Sequence, residues 1–87
     1  MSDLLDDAAI SSRIILVRST HKMSQDSFAR SVGMNRSTLG NYETGYNRPR
    51  IDHAAAICKR YNLTLDWLYL GEEGGMRWND LLFLGLR

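Results

Sequence analysis

Residues 23–45 of this 87-residue chain contain two short apolar patterns of helical period, separated by a single glycine. The apolar positions are Phe28, Ala29 and Val32 before Gly33, and Leu39 and Tyr42 after it. Such a pattern predicts two helices that meet at a tight corner and pack on one core. The hydroxyl group of Ser24 suits an N-cap, and Gly33 suits the left-handed conformation that ends a helix. We therefore expect one helix over residues 24–32 and a second helix over residues 35–44.

The order and spacing of seven residues in this stretch resemble the helix-turn-helix of phage-repressor and Cro-like (XRE-type) regulators. These residues are Gln25, Ala29, Gly33, Leu39, Tyr42, Glu43 and Gly45. The resemblance continues through the sequence DWLYLGE at residues 66–72, so it covers about residues 11–73. It implies an all-α fold, namely a five-helix repressor-like domain with a short apolar C-terminal extension. On this basis residues 1–10 extend helix 1, residues 11–73 form the DNA-binding domain and residues 74–87 form a tail.

Composition excludes several other classes of protein. The single cysteine, Cys58, cannot form a disulfide within the chain, and its apolar helical surroundings predict a small core residue. His21 and His53 have no further ligands at metal spacing, so we expect no metal site and no cofactor. The N-terminus is acidic and no apolar run approaches a membrane span, which predicts a soluble, cytoplasmic protein. The sequence contains no nucleophile paired with a base and no paired carboxylates, so we do not expect an enzyme.

The net charge of +1 is small for a protein that binds nucleic acid, but the charge is unevenly distributed. Residues 11–60 carry nine Lys and Arg against three acids, whereas both flanking segments are acidic. The positive charge therefore coincides with the helix-turn-helix, which favours phosphate contact through one face.

The first helix is expected over about residues 3–20, with Ser2 or Asp3 as its cap. Alternatively, Ser11 and Ser12 could cap a new helix, which would leave residues 1–10 as a separate extension. Its buried face would consist of Ile10, Ile14 and Val17.

Arg18 has two interpretations. In the resembled family an Arg at this position pairs with a Glu at the end of the recognition helix, and the matching residue here is Glu43. The resemblance thus implies a structural ion pair that fixes this helix on the scaffold. Otherwise Arg18 is a solvated residue in the last turn of helix 1.

Helix 3 is the expected reader of DNA, because Leu39 and Tyr42 fix its buried side. The opposite side presents Asn35, Arg36, Ser37, Gly40 and Asn41. Arg can bind guanine and Asn can bind adenine in the major groove. A glycine inside a helix is unfavourable by about 1 kcal/mol relative to alanine. Gly40 therefore indicates either close approach of the backbone to DNA or an exposed site free of constraint.

Two segments flank helix 3 with expected phosphate contacts. Gln25 matches a family residue that contacts phosphate and would lie at a helix N-terminus, although it could also be a simple exposed residue. The loop YNRPR at residues 46–50 resembles the family segment that follows the DNA backbone. Its candidate phosphate ligands are Asn47, Arg48 and Arg50, with a solvated basic loop as the alternative.

Helices 4 and 5 should complete the core. Helix 4, over residues 51–62, would bury Ala54, Ala55, Ile57, Cys58 and Tyr61. Asn62 would end it, and Thr64 would cap a short helix 5. The residues of helix 5 expected to close the core are Leu65, Trp67, Leu68 and Leu70.

The tail is too apolar for a free terminus. Either it folds back on its own subunit, or it pairs with a second copy, which we favour. The residues assigned to dimerisation are Trp78, Leu81, Leu82, Phe83, Leu84 and Leu86. The sequence does not decide between helix and strand for this segment.

Two functions of different class follow. The favoured one is a homodimeric, sequence-specific transcription regulator, a repressor that binds double-stranded DNA at a palindromic operator. The other is an antitoxin-like interaction module whose apolar tail covers a partner protein, with DNA binding secondary.

Overall fold

A computed structural model describes residues 4–87, and every regular element in that range is a helix. The helices are α1 (Asp7–Thr20), α2 (Gln25–Ser31), α3 (Arg36–Glu43), α4 (Ile51–Tyr61), α5 (Leu65–Leu70) and α6 (Trp78–Phe83). This confirms the all-α fold class, with one helix more than expected because the tail forms α6.

Helix α1 begins later than the sequence pattern predicted. Asp6 is its N-cap and accepts a hydrogen bond from the backbone of Ala9 at 3.2 Å, whereas the expected caps Ser2 and Asp3 lie outside the described residues. The alternative of a new helix at Ser11 and Ser12 is wrong, because both lie inside α1. Their hydroxyl groups donate to the carbonyl groups one turn earlier, so neither is available as a cap.

The corner between α2 and α3 forms as expected from local capping signals. The Ser24 hydroxyl accepts from the backbone of Ser27 at 3.1 Å, and Gly33 has a φ of +74° just after the end of α2. Asn35 then caps α3 through a 2.8 Å bond from the backbone of Thr38. Met34, which the apolar pattern did not single out, is buried in this turn.

The core lies where α1, α2, α4 and α5 converge beneath α3. Ile10, Ile14 and Val17 of α1 are fully buried, as their spacing predicted. The ring of Phe28 stacks on that of Tyr61 with centroids 5.0 Å apart, which joins α2 to α4. Since α2 and α3 pack on this shared core, their relative angle is fixed by the scaffold.

Two expectations about α4 and α5 need correction. Ala55 points to solvent, although Ala54, Ile57, Cys58 and Tyr61 are buried as expected. In α5 only Trp67 and Leu68 are buried, while Leu65 and Leu70 are exposed by 37% and 46%. A helix of six residues can turn only one narrow face inward, so the neighbouring leucines remain outside. The helix ends behave as predicted, with Asn62 left-handed and Thr64 as a cap.

The tail folds back on its own subunit. The side chains of Met76, Leu81 and Leu84 enter the core, and Leu86 packs against it. The assignment of Leu81 and Leu84 to a dimer contact is therefore wrong, since both are buried within the chain. The apolar side chains that stay exposed are Trp78, Leu82 and Phe83.

We expect Leu81→Ala to lower the free energy of unfolding by about 2–4 kcal/mol, because it leaves a cavity in a packed site. The matched control Leu65→Ala should lower it by less than about 1 kcal/mol, since Leu65 is already partly in water. Urea unfolding of both variants at one protein concentration measures the difference. Equal effects would show that α6 is not part of the core.

Candidate nucleic-acid interface

Helix α3 has one face in the core and one face toward solvent. Leu39, Tyr42 and Glu43 are buried, whereas Arg36 and Ser37 are exposed on the opposite side. Gly40 and Asn41 follow one turn later on that outer side and are half-buried. Four of the five predicted base-reading residues therefore share one surface, which we call the outer face of α3.

The fifth, Asn35, has a structural task that the sequence interpretation did not assign. Its side-chain oxygen is used to cap α3, so only its amide nitrogen remains for another partner. At Gly40 an added Cβ would meet nothing within 4 Å. The fold itself therefore does not require glycine at that position.

Glu43 is the centre of a hydrogen-bond network beneath the outer face. Arg18 donates two bonds to its carboxylate, from Nε at 2.7 Å and from Nη2 at 3.0 Å. A third guanidinium nitrogen, Nη1, donates to the carbonyl oxygen of Met23, which lies just before α2. The Glu43 side chain is only 4% exposed and that of Arg18 only 21%, so the pair is largely shielded from water. The solvated alternative for Arg18 does not apply.

Gln25 belongs to the same network. Its amide nitrogen donates to Glu43 Oε1 at 2.9 Å, so the structure places this side chain against the ion pair. The sequence pattern contained no signal for this contact, because it joins residues 18 positions apart. A phosphate contact by Gln25 remains a prediction, and it would use the second N–H of the amide nitrogen, because the amide oxygen can only accept hydrogen bonds.

An open cleft of about 410 Å³ lies between α3, the following loop and the start of α4. Its walls are Thr38, Asn41, Tyr42, Asn47, Arg48, Arg50 and His53. The cleft brings the base-reading candidate Asn41 together with all three loop residues assigned to phosphate. Arg36 and Ser37 do not line it, since they lie one turn earlier on α3.

The two loop arginines differ in how they are held. Arg48 Nε contacts Asp7 Oδ1 of α1 at 2.8 Å, an ion pair that the sequence interpretation missed. Arg50 contacts Asp52 only at 3.4 Å, and its side chain is 74% exposed. Both pairs are solvent-accessible and therefore weak, so a phosphate group could compete for either guanidinium.

The loop itself is supported from below by two tyrosines. Tyr69 of α5 donates to the Pro49 carbonyl oxygen at 2.7 Å, and burial raises the pKa of this phenol above its usual range. Tyr42 contacts His53 Nδ1 at 2.6 Å and accepts from the backbone of Arg50 at 3.4 Å.

Thr38 and His53 were not singled out from the sequence as site residues. The helical spacing could have indicated Thr38, since it lies one turn before Tyr42 and therefore on the same side of α3.

In the described part of the chain, neither the cysteine nor the acidic and histidine residues add a reactive or metal-binding site. Burial raises the pKa of the Cys58 thiol to about 11, so the thiolate form is disfavoured. In residues 4–87 there is no group of three or more His, Cys, Asp or Glu able to hold a metal ion. The helices of that same range are all too short or too polar to cross a membrane.

The sequence matches the family model described as "Helix-turn-helix" over residues 16–68, and the chain belongs to this family of DNA-binding regulators. An uncharacterized HTH-type transcriptional regulator of Bacillus subtilis, YobD, is 25% identical over 56 residues, which are 64% of this chain and 50% of that protein. The antitoxin PezA of Streptococcus pneumoniae is 34% identical over 55 residues, 63% of this chain and 35% of that protein. The chain thus spans half or less of the length of these curated relatives.

A solved structure with the same fold is the P22 c2 repressor in complex with a synthetic operator. The TM-score is 0.68 at 22% identity, and the match covers 72% of this chain and 96% of that one. The likeness establishes the repressor-like helix-turn-helix fold that the residue spacing had implied.

We expect Glu43→Gln to lower the free energy of unfolding by about 2–4 kcal/mol, because the Arg18 guanidinium then loses its charged partner in a shielded site. The amide that replaces the carboxylate also brings N–H donors toward Arg18 and Gln25. The control is Asp26→Asn, which breaks the exposed Asp26–Arg30 pair and should cost under about 1 kcal/mol. Urea unfolding compares them. Unchanged stability together with weaker DNA binding would instead give Glu43 a direct role in recognition.

Proposed function

We propose that this protein is a homodimeric, sequence-specific transcription repressor that reads an inverted-repeat operator through α3. The observation that carries the proposal is the outer face of α3. Arg36 and Ser37 are exposed there, and Asn41 opens into a cleft bordered by two loop arginines. Membership of the helix-turn-helix family supports DNA as the ligand.

Each part of this surface suits one component of the duplex. Arg36 can donate two hydrogen bonds to guanine, and Asn41 can bind adenine through its amide group. Asn47 and Arg50 line the same cleft as Asn41 and can bind backbone phosphates, which orient the helix without reading sequence. The buried scaffold beneath α3 would keep these side chains in one register on the groove.

A two-fold dimer would present two copies of α3 to successive major grooves. Their separation should be about 34 Å, so the half-site centres should lie about 10 base pairs apart. The P22 c2 repressor was crystallised with a synthetic operator, and its fold matches 72% of this chain, which supports double-stranded DNA as the ligand here. Occupation of the operator would exclude RNA polymerase from the promoter.

We expect Arg36→Ala to weaken binding to the selected operator by about 1–3 kcal/mol and to leave binding to random DNA almost unchanged. The measurement is a binding selection with wild type and variant, followed by affinity determination on the recovered duplex. The control Arg77→Ala removes the same charge from the exposed start of the tail. If both proteins recover one motif with equal information at every position, Arg36 does not read bases.

For the dimer we expect the double substitution Trp78→Glu and Leu82→Glu to produce a monomer in light scattering. These side chains are 62% and 47% exposed, so the change places charge on the surface and not in the core. Leu70→Glu on α5 is the matched comparison, since Leu70 is 46% exposed. Dissociation by Leu70→Glu alone would place the interface on α5.

An antitoxin-like module is the second candidate, because the 34% identical relative is an antitoxin. In that case the exposed side chains of α6 would cover a partner protein, and DNA binding would be secondary. The two functions differ in what the free chain does. The repressor should shift a palindromic duplex at moderate salt, whereas the alternative predicts weak binding until a partner protein is added.

A further inference from the structure

Tyr42 lies at the junction of α3, the loop and α4, although its ring is almost completely buried. Its hydroxyl oxygen accepts a hydrogen bond from the backbone N–H of Arg50 and lies 2.6 Å from His53 Nδ1. The two rings are tilted by 58° with centroids 5.8 Å apart. This short contact fixes the position of the imidazole relative to the cleft.

The direction of the bond between Tyr42 and His53 follows from hydrogen-bond balance. Among the described residues, His53 Nδ1 is the only acceptor within reach of the Tyr42 hydroxyl proton. If Nδ1 carried a proton and donated instead, the phenolic proton would have no acceptor among the described residues, and losing this bond is unfavourable by about 1–3 kcal/mol. The hydroxyl group therefore donates to Nδ1. A neutral imidazole then carries its proton on Nε2.

The Nε2 group of His53 is available to a ligand. It has no hydrogen-bond partner in residues 4–87, and no buried side-chain nitrogen or oxygen in that range lacks a partner, so Nε2 is in contact with solvent. His53 also lines the cleft together with Arg50 and Asn47. A donor beside a guanidinium and an amide suits an anionic acceptor.

We propose that His53 is a further phosphate-binding residue of the DNA interface, a neutral donor whose tautomer is set by Tyr42. The inference rests on the proposed function, because the acceptor is a phosphate oxygen of the duplex bound by α3. Tyr42 is a positioning residue and does not touch the DNA. The contact adds a hydrogen bond without adding charge, which separates its effect from that of Arg50.

The tautomer can be measured on the free protein by ¹⁵N NMR of the full chain at about pH 8, where imidazoles are largely neutral. We expect His53 to be protonated at Nε2 and unprotonated at Nδ1, and Tyr42→Phe to produce a mixture of both tautomers. His21 provides an internal comparison, because it makes no contact with Tyr42 in the described structure. A proton on Nδ1 in the wild type would overturn the assignment.

The phosphate contact is tested by the affinity of His53→Ala for two probes, the duplex recovered from the binding selection and a shuffled duplex of equal length. We expect about tenfold weaker binding to both probes, with an unchanged salt slope. Arg50→Ala should lower the slope by about one. His53→Gln, whose amide nitrogen reaches toward the Nε2 position, should retain more affinity than His53→Asn.

A double-mutant cycle tests the link between the two residues. Tyr42→Phe keeps the buried ring and should weaken binding more in the wild type than in the His53→Ala background, where only its bond from the Arg50 backbone is lost. Tyr61→Phe is the matched control, since it removes a hydroxyl group that contacts Ser31 and Met23 outside the cleft. It should leave DNA affinity unchanged even if it lowers stability.

The outcomes separate this inference from the proposed function. Wild-type binding to both probes with equal binding by His53→Ala would overturn the inference alone. A loss confined to the selected duplex would make His53 a base-reading residue, and a reduced salt slope would contradict the neutral donor. If the wild type binds neither probe, the proposed function fails and the phosphate contact fails with it, while the NMR result still decides the tautomer.

Discussion

The buried carboxylate of Glu43 is the interaction on which the DNA-facing surface depends. It ends α3, accepts two bonds from Arg18 of α1 and a third from Gln25 at the start of α2. Three helices therefore share one charged group, which is shielded from water and satisfied by charged or polar donors. Hydrophobic contacts alone would allow small rotations of α3. The two hydrogen bonds between Arg18 and Glu43 restrict such rotations, because both depend on the relative orientation of the two side chains.

A second set of contacts holds the other side of α3. The hydroxyl group of the buried Tyr42 contacts His53 and the Arg50 backbone, and Tyr69 holds the loop at Pro49. The charged network thus orients the inner end of the helix, and the phenolic groups set the loop beside it. Among residues 4–87 the side chains of Arg36, Ser37 and Asn41 make no hydrogen bond to the scaffold, so they remain available on the outer face of α3.

The helix-turn-helix was predictable because its signals are local. Ser24, Gly33 and Leu39 each report on a cap, a turn or a buried face within a few residues, and the family spacing also identified the Arg18–Glu43 pair. Contacts between distant residues could not be predicted in this way. The Asp7–Arg48 pair joins residues 41 positions apart, and the bond from Gln25 to Glu43 joins residues 18 positions apart.

The helical period of apolar residues indicates which face of a helix points inward, but not how completely each side chain is buried. It assigned both Leu65 and Leu68 of helix 5 to the core, yet only Leu68 is buried. The same limit explains Ala55, which lies at the edge of the buried stripe of α4. For the tail, composition correctly excluded a free terminus, but the choice between its own core and a second subunit depended on three-dimensional packing.

The empty space around Gly40 has a consequence for how this protein can diverge. Since no neighbouring atom lies within 4 Å of a Cβ built there, a side chain can leave the backbone at position 40 without meeting the scaffold. Most replacements would also raise the helix propensity of α3. Selection on this position can thus act on recognition alone, so descendants of one stable domain could acquire new target sequences without passing through unfolded intermediates.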